Sequence, residues 1–358
     1  MRIAVDAMGG DHAPHDIVRG AVEASRDNHE DFEIILVGDE TAIKAELERN
    51  KASTSPRLRI VHTTQVIEMN EPPAQAVRSK RDSSIYRGME LVKKGEADAF
   101  LSAGSTGAMV AAAIIILRRA PGVKRPAIGT LFPTIGRPVL VIDAGANIDS
   151  DEVELEQFAV MGKIYSESII GQKDPVVGLL SIGGEDLKGN DVTKKTLERL
   201  RINPFFKFRG NVEGHDLFQG ETDVVVCDGF VGNVLLKSVE SAARAVTHWM
   251  KQEFTANFIR LLGVFCLRGA LKTMRRRMDP ELYGGAPLLG VNGTVIITHG
   301  GSSHKAIYHA IRVAGEAVKN RVTQKIEEDL AALHQAKNLQ EQTTDDKVTQ
   351  DDKPDLTK

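Results

Sequence analysis

The sequence predicts an α/β fold built on a mostly parallel sheet, and three observations carry that reading. Short β-rich apolar runs alternate with longer amphipathic stretches along the chain, the pattern of repeated strand–helix units. Six of those runs end in a polar, glycine-containing turn able to open a helix. The length of 358 residues supports a large core, as one α/β domain or as two lobes around a cleft.

The six turns come in chain order. Ile3-Ala4-Val5 precedes Asp6-Ala7-Met8-Gly9-Gly10-Asp11, and Ala99-Phe100-Leu101 precedes Ser102-Ala103-Gly104-Ser105-Thr106-Gly107. Residues 139–142 precede Asp143-Ala144-Gly145-Ala146-Asn147, and 176–180 precede Ser181-Ile182-Gly183-Gly184-Glu185. Residues 224–227 lead to Asp228-Gly229-Phe230-Val231-Gly232-Asn233, and 295–298 to His299-Gly300-Gly301-Ser302-Ser303. In an open parallel sheet such turns share one edge, and ligands bind in the crevice there. Six of them predict a cleft lined by backbone N–H groups, hydroxyls, amides and helix N-termini, which suits an anion such as phosphate.

Helices are expected over 14–28, 41–50, 83–95, 106–117, 150–170, 192–200, 233–253 and 304–333. Pro14 stands near the start of the first, where its missing N–H costs little. Val234, Val239, Ala242, Ala245, Val246 and Trp249 give 233–253 an apolar stripe, broken by Lys237. Residues 254–278 contain no acid and six cations, Arg260, Arg268, Lys272, Arg275, Arg276 and Arg277. Phe254, Phe258, Leu261, Leu262, Phe265 and Leu271 lie there at largely helical spacing, and Gly263 and Gly269 predict two short helices joined by an apolar tip at 261–267. A dimer interface, a membrane-surface anchor, a docking site for an acidic protein and a core helix with a basic end all fit this segment. Residues 283–290 read as a flexible apolar loop, 1–335 as one catalytic unit with a cleft, and 338–358 as a disordered polar tail.

Composition excludes several classes. Hydrophobic residues at 42% and charged residues at 27% are ordinary for a soluble protein, and a net charge of -3 gives no case for a nucleic-acid partner. Two cysteines, Cys227 and Cys266, provide no disulfide framework or four-ligand zinc cluster and fit a reducing cytoplasm. The first residues reach Asp6 before any signal-peptide apolar region forms, and no run of eighteen apolar residues occurs. P-loop, dinucleotide and H-E-x-x-H patterns are missing, so no metal or cofactor is expected.

Chemistry is therefore sought in the turns. Ser102–Gly107 offers small residues, N–H groups and hydroxyls to a ligand, or serves as a tight turn with a Ser or Thr cap. Asp143 can anchor its loop while Asn147 donates to a ligand, and capping explains both equally well. Lys188 is the strongest candidate for a functional cation, since a lysine on a strand-end turn reaches an anion in the crevice. Asn233 stands where a helix is expected to start and can simply cap it. Cys227 closes a valine run and reads as a buried thiol, and His299 and His304 as structural histidines.

In this order, with Met8-Gly9-Gly10-Asp11-His12-Ala13-Pro14 at the front and Tyr283-Gly284-Gly285-Ala286-Pro287-Leu288-Leu289-Gly290 near the end, the chain resembles a known family. It is similar over about residues 2–325 to the bacterial acyl-[acyl-carrier-protein]:phosphate acyltransferases of phospholipid synthesis. Ser105 departs from the Asn of an S-A-G-N-T-G-A pattern and Gly184 from the first acid of a G-E-E triplet, while Thr106, Glu185 and Lys188 match.

The resemblance implies a three-layer α/β/α sandwich with a mostly parallel sheet, of the isocitrate/isopropylmalate dehydrogenase and phosphotransacetylase type. It implies a homodimer, cytoplasmic and peripherally membrane-associated, that moves a fatty acyl group from acyl carrier protein to inorganic phosphate. The acyl-phosphate would pass to a membrane glycerol-phosphate acyltransferase. On this reading Lys188 and Asn233 are catalytic, and Gly104, Ser105, Thr106, Gly107, Asn147, Glu185, Asp228, Gly300, Ser302 and Ser303 bind phosphate or substrate. Leu261, Leu262, Phe265, Arg268, Lys272, Arg275, Arg276 and Arg277 meet the membrane or the carrier protein.

The chemistry agrees, since phosphate is already anionic and a thiolate of pKa about 8.5 leaves without a strong acid. An acyl-coenzyme A phosphotransacylase, a nicotinamide-dependent dehydrogenase of the same fold and a non-catalytic membrane-associated phosphate-binding regulator are the alternatives.

Overall fold

The computed structural model describes residues 1–27, 32–277 and 279–351. Its strands are β1 (Arg2–Asp6), β2 (Glu33–Gly38), β3 (Leu58–His62), β4 (Ala99–Ser102), β5 (Ala127–Phe132), β6 (Val139–Ile142), β7 (Val176–Leu180), β8 (Lys207–Val212), β9 (Val224–Val226), β10 (Ala286–Leu289) and β11 (Thr294–Ile297). They form one sheet in the spatial order β3-β2-β1-β4-β11-β10-β5-β6-β9-β7-β8.

The sheet is mostly parallel, with β11–β10, β10–β5 and β5–β6 as its antiparallel pairs. Those three pairs reverse the direction of half the sheet. The block β3, β2, β1, β4 and β11 runs one way, and the block β6, β9, β7 and β8 runs the other. The six turns therefore do not share one edge. Those after β1, β4 and β11 lie on one edge, and those after β6, β7 and β9 on the opposite one. The reversal depends on β10, whose Leu288 and Leu289 are buried between β11 and β5; residues 286–289, read as loop, are a strand.

The helices are α1 (His15–Ser25), α2 (Glu40–Arg49), α3 (Pro73–Ser79), α4 (Ser84–Lys93), α5 (Thr106–Ala112), α6 (Glu152–Tyr165), α7 (Asp191–Arg201), α8 (Gly229–Phe254), α9 (Phe258–Arg277), α10 (His304–Lys319) and α11 (Val322–Asp351). Single strands feed both layers, because successive side chains point to opposite faces. Ile3 and Val5 pack with Ile17, Val18, Ile307 and Ile311 of α1 and α10, while Ala4 joins Phe100, Met89 and Met109 on the α3–α5 side. In the second block Val224 and Val226 face Phe158, Leu197 and Ile326, and Val225 faces Phe132 and Val141. Covering on both faces explains why these runs lack polar alternation.

Several helix boundaries differ from expectation. The segment 304–333 is two helices, broken at Asn320 and Arg321, where Arg321 has a positive φ of 53°. Helix α8 starts four residues early, capped by Asp228, whose side chain accepts from the Val231 N–H. Gly263 and Gly269 do not break α9, which is continuous over Phe258–Arg277. A glycine inside a helix costs only about 1 kcal/mol, and Asn257 places the break earlier by accepting from the Arg260 N–H. Helices α8 and α9 meet there in a bend of 119°. The polar tail expected to be disordered from 338 instead continues α11 to Asp351. Val322, Ile326, Leu330 and Leu333 are buried and hold the start of α11, and extending a formed helix needs one bond per residue. Residues 352–358 lie outside the described residues, as do 28–31, where the first helix was expected to end.

Candidate active site

Two buried carboxylates organise the two edges. Asp6 closes β1, and its Oδ2 accepts from the Ser102 hydroxyl at 2.6 Å while Oδ1 accepts from the Met8 N–H at 3.0 Å. Ser102 Oγ in turn accepts from the Gly104 N–H at 2.9 Å. Asp11 N–H donates to the Gly300 carbonyl at 2.8 Å and Thr298 N–H to the Ser102 carbonyl at 2.9 Å, so the turns after β1, β4 and β11 interlock. A Cβ on Gly9 would stand 2.5 Å from Asp6 Oδ2 and 2.8 Å from the Gly104 nitrogen, which is why this turn needs glycine. Burial pushes the Asp6 carboxyl above the usual carboxylate range, against the pull of the Ser102 and Ser84 hydroxyls and the Met8 and Gly9 N–H groups.

Asp143 has the same role after β6. Its Oδ1 accepts from the N–H groups of Ile128, Gly145 and Ala146 at 3.0, 3.0 and 2.9 Å. Its Oδ2 accepts from Asn147 N–H at 2.8 Å and Asn147 Nδ2 at 2.9 Å. Burial raises its pKa against those bonds. The β9 turn is fastened alongside by Cys227 N–H to the Ile142 carbonyl at 2.8 Å and Asp143 N–H to the Cys227 carbonyl at 2.9 Å. A Cβ on Gly232 would lie 1.9 Å from the Asp143 carbonyl oxygen, so the first turn of α8 sits on this loop only because residue 232 is glycine.

The structure spends several of the donors that the sequence offered. Asn147 donates to Asp143 and, at 2.8 Å, to the Pro126 carbonyl, so its amide secures the loop and does not face a ligand. Ser303 donates its hydroxyl to Glu281 at 2.8 Å and its N–H to the same carboxylate at 3.3 Å. The Gly104 N–H is bound to Ser102, and the Gly300 carbonyl holds Asp11. Ser302 is buried, with its N–H on the His299 carbonyl. Ser105 and Asp228 cap α5 and α8. Cys227 is buried, its thiol pushed up by burial and donating to the Asp143 carbonyl at 3.5 Å, as a structural thiol should be.

Other groups remain open. Among the described residues, the N–H groups of Ser105, Thr106 and Gly107 and the Thr106 hydroxyl meet no partner. Asn233 is half-buried inside α8, not at its start, against the Cα side of Gly145. Lys188 and Glu185 are exposed on the turn after β7; the Glu185 carbonyl accepts from the Lys188 N–H at 3.0 Å and from the Asn211 amide at 2.9 Å. The Lys188 ammonium makes no ion pair among the described residues. No hydrogen bond among the described residues links Lys188 to the other turns. The two edges communicate through an apolar cluster in which Ala144 and Ala146 pack with Ala108, Met109 and Ala112 of α5.

Sequence reading missed Asp6, Ser102 and Glu281. A signal for Asp6 existed, because Asp6-Ala7-Met8-Gly9 and Asp143-Ala144-Gly145 both place an aspartate at the end of an apolar strand just ahead of a glycine turn, where its carboxylate accepts from N–H groups two to four residues on. Glu281 gave no such signal.

Helices α8 and α9 form an arm. Of α8, only Gly229 and Gly232 are fully buried. Leu261, Leu262 and Phe265 of α9 are exposed, and Arg268 lies 4.8 Å over the Phe265 ring. Lys272, Arg276 and Arg277 are exposed; the Arg275 side chain lies outside the described residues. No single described helix is long and apolar enough to cross a membrane.

The fold is one that phosphotransacetylases share. A phosphotransacetylase from Streptococcus pyogenes superposes with a TM-score of 0.58 at 20% identity, covering 89% of this chain and 94% of that one. A 4-hydroxythreonine-4-phosphate dehydrogenase from Klebsiella pneumoniae superposes at 0.51 and 14%, covering 88% and 99%; at such identities the likeness concerns fold alone. The chain belongs to the fatty acid synthesis protein family, whose model matches residues 1–325, and is an acyltransferase of lipid synthesis. It is 50% identical to a phosphate acyltransferase of Desulfitobacterium hafniense over 331 residues, 92% of this chain and 98% of the relative. It is 48% identical to one of Halothermothrix orenii over 331 residues, with the same coverage of both chains.

Proposed function

We propose that the enzyme moves a fatty acyl group from an acyl carrier protein thioester to inorganic phosphate. The observation that carries this is the Lys188 ammonium on the turn after β7, which makes no ion pair among the described residues, in a chain whose relatives are named for phosphate. A phosphate oxygen attacks the carbonyl carbon, forming a C–O bond and a tetrahedral oxyanion. The C–S bond then breaks, acyl-phosphate forms, and the departing thiolate takes a proton from solvent.

The protein's task is to align two reactants and offset charge. Lys188 and Asn233, on the edge formed by the turns after β7 and β9, serve the reacting centre and offset the phosphate charge, while the open N–H groups of residues 105–107 with the Thr106 hydroxyl are a separate set of donors on the opposite edge. Glu185 and Asp228 shape the turns that carry Lys188 and Asn233. Thiol release from purified enzyme, acyl carrier protein thioester and phosphate, with acyl-phosphate as co-product, tests this reading. Phosphate binding without thiol release refutes it. Because attack is direct, Cys227→Ala is expected to keep turnover within about threefold of the parent. An acyl group trapped on Cys227, with an inactive alanine variant, overturns direct transfer.

The arm, in this proposal, holds a homodimer to an anionic membrane, where the acyl-phosphate meets a membrane glycerol-phosphate acyltransferase. Leu261, Leu262 and Phe265 enter the interface, and Arg268, Lys272 and Arg275 to Arg277 read headgroup charge, each cation adding about 1 kcal/mol. Added salt weakens the charge contribution and leaves apolar insertion. Changing Leu262 and Phe265 together to Glu is expected to release the protein from anionic liposomes in a sedimentation assay while turnover on soluble substrate persists. Co-sedimentation at the parent's level rejects the anchor, and inactive monomers identify the arm as a dimer interface.

A further inference from the structure

The two edges differ in a way the polar chemistry does not use. On the second block, candidate turns carry large apolar side chains in solvent beside their polar groups. Ile148 follows Asn147 and is 77% exposed, Phe230 lies between Asp228 and Asn233 at 61%, and Ile182 and Leu187 share the Lys188 turn at 83% and 85%. On the first block no exposed large hydrophobic residue occurs in turns 102–107 or 298–303.

These four side chains follow adjacent strands. Ile142, Val226 and Leu179 lie level across β6, β9 and β7, so the turns that follow make a row about 10 Å across at strand spacing. Val234, one helical turn beyond Phe230 on α8, is also exposed and extends the row on the same face. Isolated exposed aliphatics are ordinary. Turns, however, favour Gly, Asn, Asp and Ser, and large exposed apolar side chains on three adjacent turns mark a binding surface.

We infer that this row is the bed for the acyl chain of the donor, a linear saturated chain extending from the carbonyl that Lys188 and Asn233 receive. The inference rests on the placement of those two residues in the site proposed above. Leu187 adjoins Lys188 and Phe230 lies three residues before Asn233, so the apolar row begins where the carbonyl must sit. It is also narrow. A second copy of this chain needs an interface of about 1,200–2,000 Å², far more than five side chains across about 10 Å supply.

The test is chain-length selectivity. The ratio of kcat/KM for a hexadecanoyl over a butanoyl thioester, with phosphate as acceptor, is measured for the parent, for Ile182→Asn, for Phe230→Asn and for the double variant. Each substitution is expected to lower the ratio about tenfold and the double variant by more, because a long chain loses apolar contact that a short one never makes. Ratios within twofold of the parent overturn the inference, as does an unchanged ratio with a shift from dimer to monomer in analytical ultracentrifugation, which assigns the row to a second copy. A parent that releases no thiol from either thioester defeats the reaction itself, an outcome separate from a parent that turns over with unaltered selectivity in the variants. Circular dichroism and the denaturation midpoint confirm folding, and Ile182→Ala repeats the measurement without a polar group.

Discussion

Replacing Lys188 by alanine is expected to lower turnover by about a hundredfold or more, the size of losing one preorganised transition-state donor. Lys188 is exposed and makes no ion pair among the described residues, so its removal strands no partner, and stability should stay within about 0.5 kcal/mol of the parent. That separation makes the experiment decisive. Steady-state kcat is compared with the urea midpoint, and a folded variant with near-parent turnover takes Lys188 out of the site. Lys188→Arg keeps the charge but not the compact ammonium geometry, so only partial recovery is expected.

Replacing Asp143 by alanine is expected to act on the fold first. It removes the acceptor of four backbone N–H groups and of the Asn147 amide, in a place where water does not replace it. Buried donors left without partners cost about 1–3 kcal/mol each, not additively, and removing one member of a buried charged network costs about 3–5 kcal/mol. A loss of that size is expected in urea denaturation, with turnover falling because α8 and Asn233 are seated on this loop. Asp186→Ala is the contrast. Its pair with Arg201 at 2.7 Å is more than half exposed on both sides, and such surface pairs contribute about 0–1 kcal/mol. An Asp143→Ala variant within 1 kcal/mol of the parent would show that the loop is held by other contacts.

Candidate residues divide according to the range of the interactions that decide their roles. Cys227 was legible as a buried thiol because a valine run is a local pattern. The cap at Ser105 was legible because a cap bonds three residues ahead, whereas Asn233, read as the cap of α8, lies inside that helix and Asp228 caps it instead. Asn147 was not, since its amide is taken by the Pro126 carbonyl 21 residues away, and Ser303 was not, since Glu281 reaches it from the segment following α9. Whether a hydroxyl is open to a ligand is settled by what else lies beside it.

By itself the sequence determined the α/β alternation, the six strand-end turns, the basic and apolar character of residues 254–278 and the family, because strand period, helix period, turn chemistry and motif order are written in short stretches of chain. Only the tertiary structure decided that the turns occupy two opposite edges. That follows from β10, a four-residue strand between β11 and β5, since the direction a strand takes in a sheet depends on its neighbours and leaves no period in its own residues. The tertiary structure also decided which polar groups are consumed internally. Asp6 and Ser102 are 96 residues apart in sequence, and a bond across that distance exists only once the sheet has brought β1 and β4 side by side.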